Sequence, residues 1–151
     1  MSVAYTRPFH PLDLESRTSA MFRLGDMIEQ LRQEEVYRAG NRNALTLLHD
    51  GGLTAVLTVV KAGAECEDHL SQEPTLFVVL DGDLKVESAA DEGIIYLSLG
   101  AAGALARGIR HKITATTECA YLMIIGGSTA PEENVGISSP GSKRQGQVLR
   151  S

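Results

Sequence analysis

The stretch from Gly63 to Gly82 constrains this 151-residue chain more than any other. It reads Gly-Ala-Glu-Cys-Glu-Asp-His-Leu-Ser-Gln-Glu-Pro-Thr-Leu-Phe-Val-Val-Leu-Asp-Gly. A polar segment with one histidine, His69, runs into Thr75–Leu80, whose branched and aromatic residues suit a pleated strand. Asp81-Gly82 ends the run and is the strongest short hairpin signal in the sequence, with Leu84–Ser88 as its return strand. Whatever else the chain does, it must accommodate a buried strand here, preceded by a polar approach.

The remainder repeats that rhythm. Asn43–His49 and Leu53–Lys61 flank an Asp50-Gly51-Gly52 turn. Ile94–Leu99 follows Asp91-Glu92-Gly93, and Gly100, Gly103 and Gly108 punctuate a loop. His111–Thr116 and Cys119–Ile125 read as a last hairpin. Short strands at this density indicate an all-β sandwich or barrel. One helix stands ahead of them. Met21, Leu24, Met27, Ile28 and Leu31 form a stripe at spacings of three and four. Asp26 with Glu29 has the form of a capping box, and Gly40 is a stop, so the spacing predicts a helix over 26–37. Pro8 and Pro11 make the first twenty residues an irregular arm, with a short edge strand near Leu12 and Leu14. After Gly126 the chain turns to Ser, Gly, Pro and basic residues with few apolar anchors, as mobile tails do. The organisation expected is therefore an arm and packing helix over 1–40, a barrel over 41–126 and a tail over 127–151.

Composition narrows the function classes. A chain of this length can bury roughly 70% of its unfolded surface, so it folds without staples. The net charge is −5 and no basic cluster exceeds Lys143-Arg144, which argues against nucleic acid as a partner. No apolar run spans a membrane, and Met1–Pro8 lacks the core of a signal peptide. Two cysteines, Cys66 and Cys119, suit a reducing cytoplasm and leave one bridge between them open.

Two motifs carry a family resemblance. Gly63, five residues, His69 and the closing Gly82 hold the spacing of the first cupin motif, with Ser71 at its second histidine and Thr75 at its glutamate. Gly100, Gly108 and His111 hold the spacing of the second, with Ala106 at its proline and Ala115 at its asparagine. The chain thus resembles a small single-domain bacterial cupin over 41–126. The resemblance implies an all-β, cupin-type double-stranded β-helix (jelly-roll) barrel, here with an N-terminal α-helix, and a homodimer. Placing Thr75 inward, as in the family, sends Phe77 and Val79 inward too and leaves Leu76, Val78 and Leu80 for a second sheet or another subunit to cover. Ile113 and Ala115 share the parity of His111.

The resemblance also implies what is missing. A metal-binding cupin converges several imidazole and carboxylate ligands, and hydroxyls are poor replacements. One reading rebuilds a His69–Glu73–His111 triad, since Glu73 shares parity with His69 in an extended chain. Such a site would hold Fe, Mn, Ni or Zn in a dioxygenase- or isomerase-type enzyme. The other is a pocket without metal or other cofactor, with His69, Ser71, Thr75, Phe77 and His111 holding a small molecule. The replaced ligands favour the second. Arg107 and Arg110 stand near the expected barrel mouth, where an anion would meet them or they would simply be solvated. Cys66 has the opposite parity to His69 and reads as a buried or surface thiol, and His10 and His49 as solvated side chains.

Overall fold

The computed structural model describes residues 19–70, 72–89 and 93–126, with only the backbone for 67–70. The arm, Leu12, Leu14, His10, Ser71, Asp91, Glu92 and the tail from 127 lie outside the described residues. The described chain runs α1 (Leu24–Gln33), α2 (Glu35–Ala39), β1 (Arg42–Asp50), β2 (Leu53–Val60), β3 (Glu65–Leu70), β4 (Thr75–Asp81), β5 (Asp83–Ser88), β6 (Ile94–Ser98), β7 (Ala102–Leu105), β8 (Arg110–Ala115) and β9 (Cys119–Ile125). A five-stranded sheet in the order β1-β2-β9-β4-β7 faces a four-stranded sheet in the order β3-β8-β5-β6. The paired strands are antiparallel.

The first hairpin follows the turn chemistry. Gly51 and Gly52, at φ +56° and +84°, close β1 onto β2, with Asp50 opposite Leu53. The other two expected hairpins are corrected. β4 pairs with β9 and β7, whereas β5 pairs with β8 and β6, so Asp81-Gly82 carries the chain from one sheet to the other. Thr116–Glu118 does the same between β8 and β9. A two-residue turn signal is local, and it does not say which sheet the next strand joins. The two corners pack against each other. Gly82, at φ +77°, lies so close that a Cβ there would fall 2.0 Å from the Glu118 carbonyl oxygen. The Asp83 amide donates to Thr117 Oγ1 at 3.0 Å.

Strand alternation divides the apolar residues into two cores. Phe77, Val79, Leu84, Val86, Ile113, Ala115, Cys119 and Tyr121 pack between the sheets. Leu45, Leu47, Leu57, Val59 and Ala120 point outward and meet Met27, Ile28 and Leu31 of α1 and Tyr37 of α2. Leu31 and Leu57 are fully buried, each contributing about 1.5–3 kcal/mol by transfer alone. Leu80 packs against this second core, so the helices cover part of the face assigned above to a second sheet or subunit, while Leu76 stays exposed.

The helix itself differs from expectation. It starts at Leu24 with Arg23 at the N-cap and no capping side chain, so Asp26–Glu29 is not a capping box. Asp26 instead lies in the first turn, where a carboxylate suits the helix dipole. Met21 is exposed and outside the stripe. At Glu34 the backbone is extended (ψ 147°), which breaks the expected helix in two. Buried Asn43 fills the break, its Nδ2 donating to the Leu31 carbonyl at 3.0 Å and to Glu34 Oε1 at 2.8 Å. Gly40 ends α2 as expected, its amide bonded to the Val36 carbonyl.

Candidate functional site

The inner faces of both sheets meet in a cavity of about 310 Å³. β1 supplies Arg42 and Ala44, β2 Val56 and Thr58, and β9 Tyr121 and Met123. β3 supplies Cys66, and β8 His111 and Ile113. Each pair sits two residues apart on its strand, which is the spacing that puts side chains on one face. The cavity lies toward β1 and β3, the edge strands of their sheets. Arg42 Nη1 donates to Cys66 Sγ and spans the gap between those two edges.

His111 is the most enclosed of the polar lining residues with Tyr121; each is 3% exposed. Its Nδ1 lies 3.4 Å from the Ile109 carbonyl. A proton on Nδ1 makes that contact a hydrogen bond and leaves Nε2 as an acceptor. The Phe77 ring packs edge-on to the imidazole, centroids 5.9 Å apart at 74°, and is tilted at 60° to the Tyr121 ring with centroids 5.9 Å apart. The Tyr121 hydroxyl is near the side chains of Thr58 and Cys66. Burial first, and the neighbouring Cys66 next, push its phenol well above the usual range, so it stays neutral. Burial likewise holds the Cys119 thiol up at about 12, with the Asp81 charge adding to it. Both cysteines are free, so the bridge left open above does not form.

A bulge explains how Cys66 enters the cavity. Cys66 stands opposite Ile113 and His69 opposite His111, so three steps along β3 match two along β8. One extra residue reverses parity, so the simple alternation that set Cys66 opposite to His69 does not hold across the bulge. The same pairing brings the backbones of His69 and His111 side by side.

The other sequence candidates divide. Thr75 is buried, with Oγ1 donating to the Glu73 carbonyl at 3.3 Å, but it does not line the cavity. Phe77 lies behind His111 as described. Glu73 is half-buried, outside the lining residues, in the turn before β4. Arg107 and Arg110 are exposed and also outside the lining. His49 is exposed, with Nδ1 2.8 Å from Thr54 Oγ1. Among the described residues, no three His, Cys, Asp or Glu side chains converge as metal ligands. Those residues therefore do not make up the donor set that a cupin metal needs. Arg42, Ala44, Val56, Thr58, Tyr121 and Met123 are lining residues that sequence reading missed. Parity along β2 and β9 would have found the last four.

No protein-family model matches the sequence, and no curated protein does. Solved structures share its fold. A cupin superfamily protein from Desulfitobacterium hafniense aligns with a TM-score of 0.54 at 16% identity, over 58% of this chain and 78% of that one. A cupin-2 domain-containing protein from Shewanella frigidimarina reaches 0.56 at 19% identity, over 70% of this chain and 94% of that one. KdgF from a Halomonas species gives 0.53 at 19%, over 59% and 82%. The chain has the cupin fold, an all-β antiparallel barrel with helices on one outer face.

Proposed function

We propose that this chain binds a small molecule inside its barrel, without relying on a full set of metal ligands. The observation that carries the reading is the lined cavity. Arg42, Thr58, Cys66, His111 and Tyr121 supply polar atoms, while Ala44, Val56, Ile113 and Met123 supply apolar wall. A few convergent polar groups in an apolar cleft are the usual make-up of a ligand site. His69, opposite His111 in the ladder, belongs with this group by position. Cupin folds host many activities, so the chemistry rests on these residues and not on the fold.

The test uses small molecules released by denaturing the purified full chain and identified by mass spectrometry. Added back at saturation, such a compound raises the Tm of the parent by about 4 °C or more. It leaves unchanged the variant Ala44→Phe, which fills the cavity. A compound that shifts both proteins equally overturns the reading. So does near-stoichiometric iron, manganese, nickel or zinc that disappears in a His69→Ala His111→Ala double variant; that result belongs to the dioxygenase- or isomerase-type enzyme. A cytoplasmic setting accords with two free thiols. A homodimer accords with the apolar side chains Ile94, Ile95, Tyr96 and Leu99, exposed along and just after the edge strand β6. Sedimentation at two protein concentrations tests the dimer, and a single monomeric species at both removes it.

A further inference from the structure

We propose that the ligand is a compact carboxylate, held at the cavity mouth by Arg42 with its hydrocarbon part against Val56, Ile113 and Met123. The inference rests on the cavity being a binding site, and it adds the chemical class of what enters. Its starting point is the charge of the lining. Arg42 is the cavity's lone permanently charged lining residue among those described, and no Asp or Glu is among the described lining residues. Among the described residues Arg42 pairs with no carboxylate, and its contact is to the Cys66 sulfur. A thiol is a weak acceptor and a guanidinium carries five N–H donors in a planar fork. The fork is thus left with donors directed at a weak partner, in a place where a carboxylate would accept two of them in parallel.

The neighbours suit the same ligand. Tyr121 is kept neutral by burial, so it adds no negative charge to oppose an anion. His111 lines the same cavity, its imidazole flanked by the Phe77 ring. Apart from the Thr58 hydroxyl, the rest of the wall is aliphatic and thioether, which accepts a short alkyl or aryl body but not a second charge. The volume of about 310 Å³ lies at the small end for ligand sites, which favours a compact molecule over a nucleotide or an oligosaccharide. Arg42 is exposed while His111 is buried. The carboxylate therefore sits at the entrance and the apolar end points inward. The guanidinium exchanges its sulfur contact for the anion as the ligand passes between β1 and β3.

The probes are benzoate and hexanoate against their uncharged amides, benzamide and hexanamide. Each is titrated calorimetrically into the full chain, into Arg42→Gln, into Arg42→Lys and into Ala44→Phe. Each carboxylate is expected to bind the parent at least tenfold more tightly than its amide. Arg42→Gln removes that preference, bringing carboxylate binding down to the level of the amide. Arg42→Lys restores part of it, because it keeps the charge without the fork. Ala44→Phe abolishes binding of both. Amides that bind as tightly as carboxylates, with both blocked by Ala44→Phe, overturn the carboxylate assignment but leave the cavity as a binding site. A carboxylate preference that survives in Arg42→Gln also overturns it. Carboxylates that bind Ala44→Phe as well as the parent, or no binding of any probe to the parent, overturn this inference; the first also removes the cavity reading on which it rests. Arg42 is exposed and at a strand end, and far-ultraviolet circular dichroism of each variant confirms that the fold is retained.

Discussion

Replacing Gly82 by alanine tests whether the two corners that join the sheets hold the barrel together. Gly82 has φ +77°, a left-handed conformation that costs a side-chain-bearing residue about 1–2 kcal/mol. The added Cβ would also sit 2.0 Å from the Glu118 carbonyl oxygen and 2.9 Å from Cys119 Cα. Both are backbone atoms, so no rotamer change relieves the contact and the β8–β9 corner must move. Overpacking of that kind costs about a further 1–3 kcal/mol. Gly63 is the control, because it has φ +86° but nothing within 4 Å of a Cβ. Gly63→Ala therefore bears the conformational cost alone. Urea unfolding of the two variants, at unchanged slope, should place Gly82→Ala about 1–3 kcal/mol below Gly63→Ala and about 2–5 kcal/mol below the parent. If the two variants agree within about 0.5 kcal/mol, the corners do not bear on each other as described.

Asn43→Ala should cost about 2 kcal/mol or more, since it removes two buried hydrogen bonds that close the break between α1 and α2. Urea unfolding measures the cost, and a loss below about 0.5 kcal/mol shows that the break does not depend on this side chain. Alkaline pH should destabilise the protein. Burial raises Tyr37 from 10.0 to about 12, with its 2.5 Å hydrogen bond to Glu118 Oε2 as the next cause, and burial raises Cys119 from 9.0 to about 12. In both cases the unfolded chain loses its proton first. The stabilisation is therefore complete below pH 9 to 10 and is lost as pH rises toward 12. Unfolding free energies measured across pH 8–12 should fall, and fall less in Tyr37→Phe; an equal slope in the variant refutes the assignment.

Where side-chain chemistry dictates local structure, the sequence could be read directly. Thr75–Leu80, Leu53–Val60 and Cys119–Ile125 are rich in branched residues and form strands as expected. Gly51-Gly52 forms the one tight hairpin whose chemistry was sufficient. β3 was not legible, because Glu65-Cys-Glu-Asp-His has the composition of a loop, and its strand is held by β8 alone. β7, Ala-Gly-Ala-Leu, likewise carries too little side chain to signal a strand. Gly103 there faces Ile95 and Leu97, with a Cβ position 3.0 Å from the Ile95 side chain, which explains the small residue. For the site, His111 and Phe77 follow from motif and parity. Cys66 does not, because the bulge before His69 is a property of the β3–β8 pairing. Arg42 falls just before the strand expected from Asn43, and its place at the cavity appears only once β1 and β3 are known as the edges that its contact to Cys66 spans.

The strands β2 and β9 serve two interiors at once. Thr58 and Tyr121 face the cavity, while Leu57, Val59, Ala120 and Leu122 face the helices. Such strands cannot carry a polar outer face, so solubility depends on α1 staying docked. A chain beginning after Gly40 would present Leu45, Leu47, Leu57 and Leu122 to water beside β1, an edge strand among the described residues. An apolar sheet face next to an edge strand is the kind of surface on which chains add to one another. The helix thus acts as a built-in guard against self-association, and its removal should show first as aggregation and only second as a lower melting temperature.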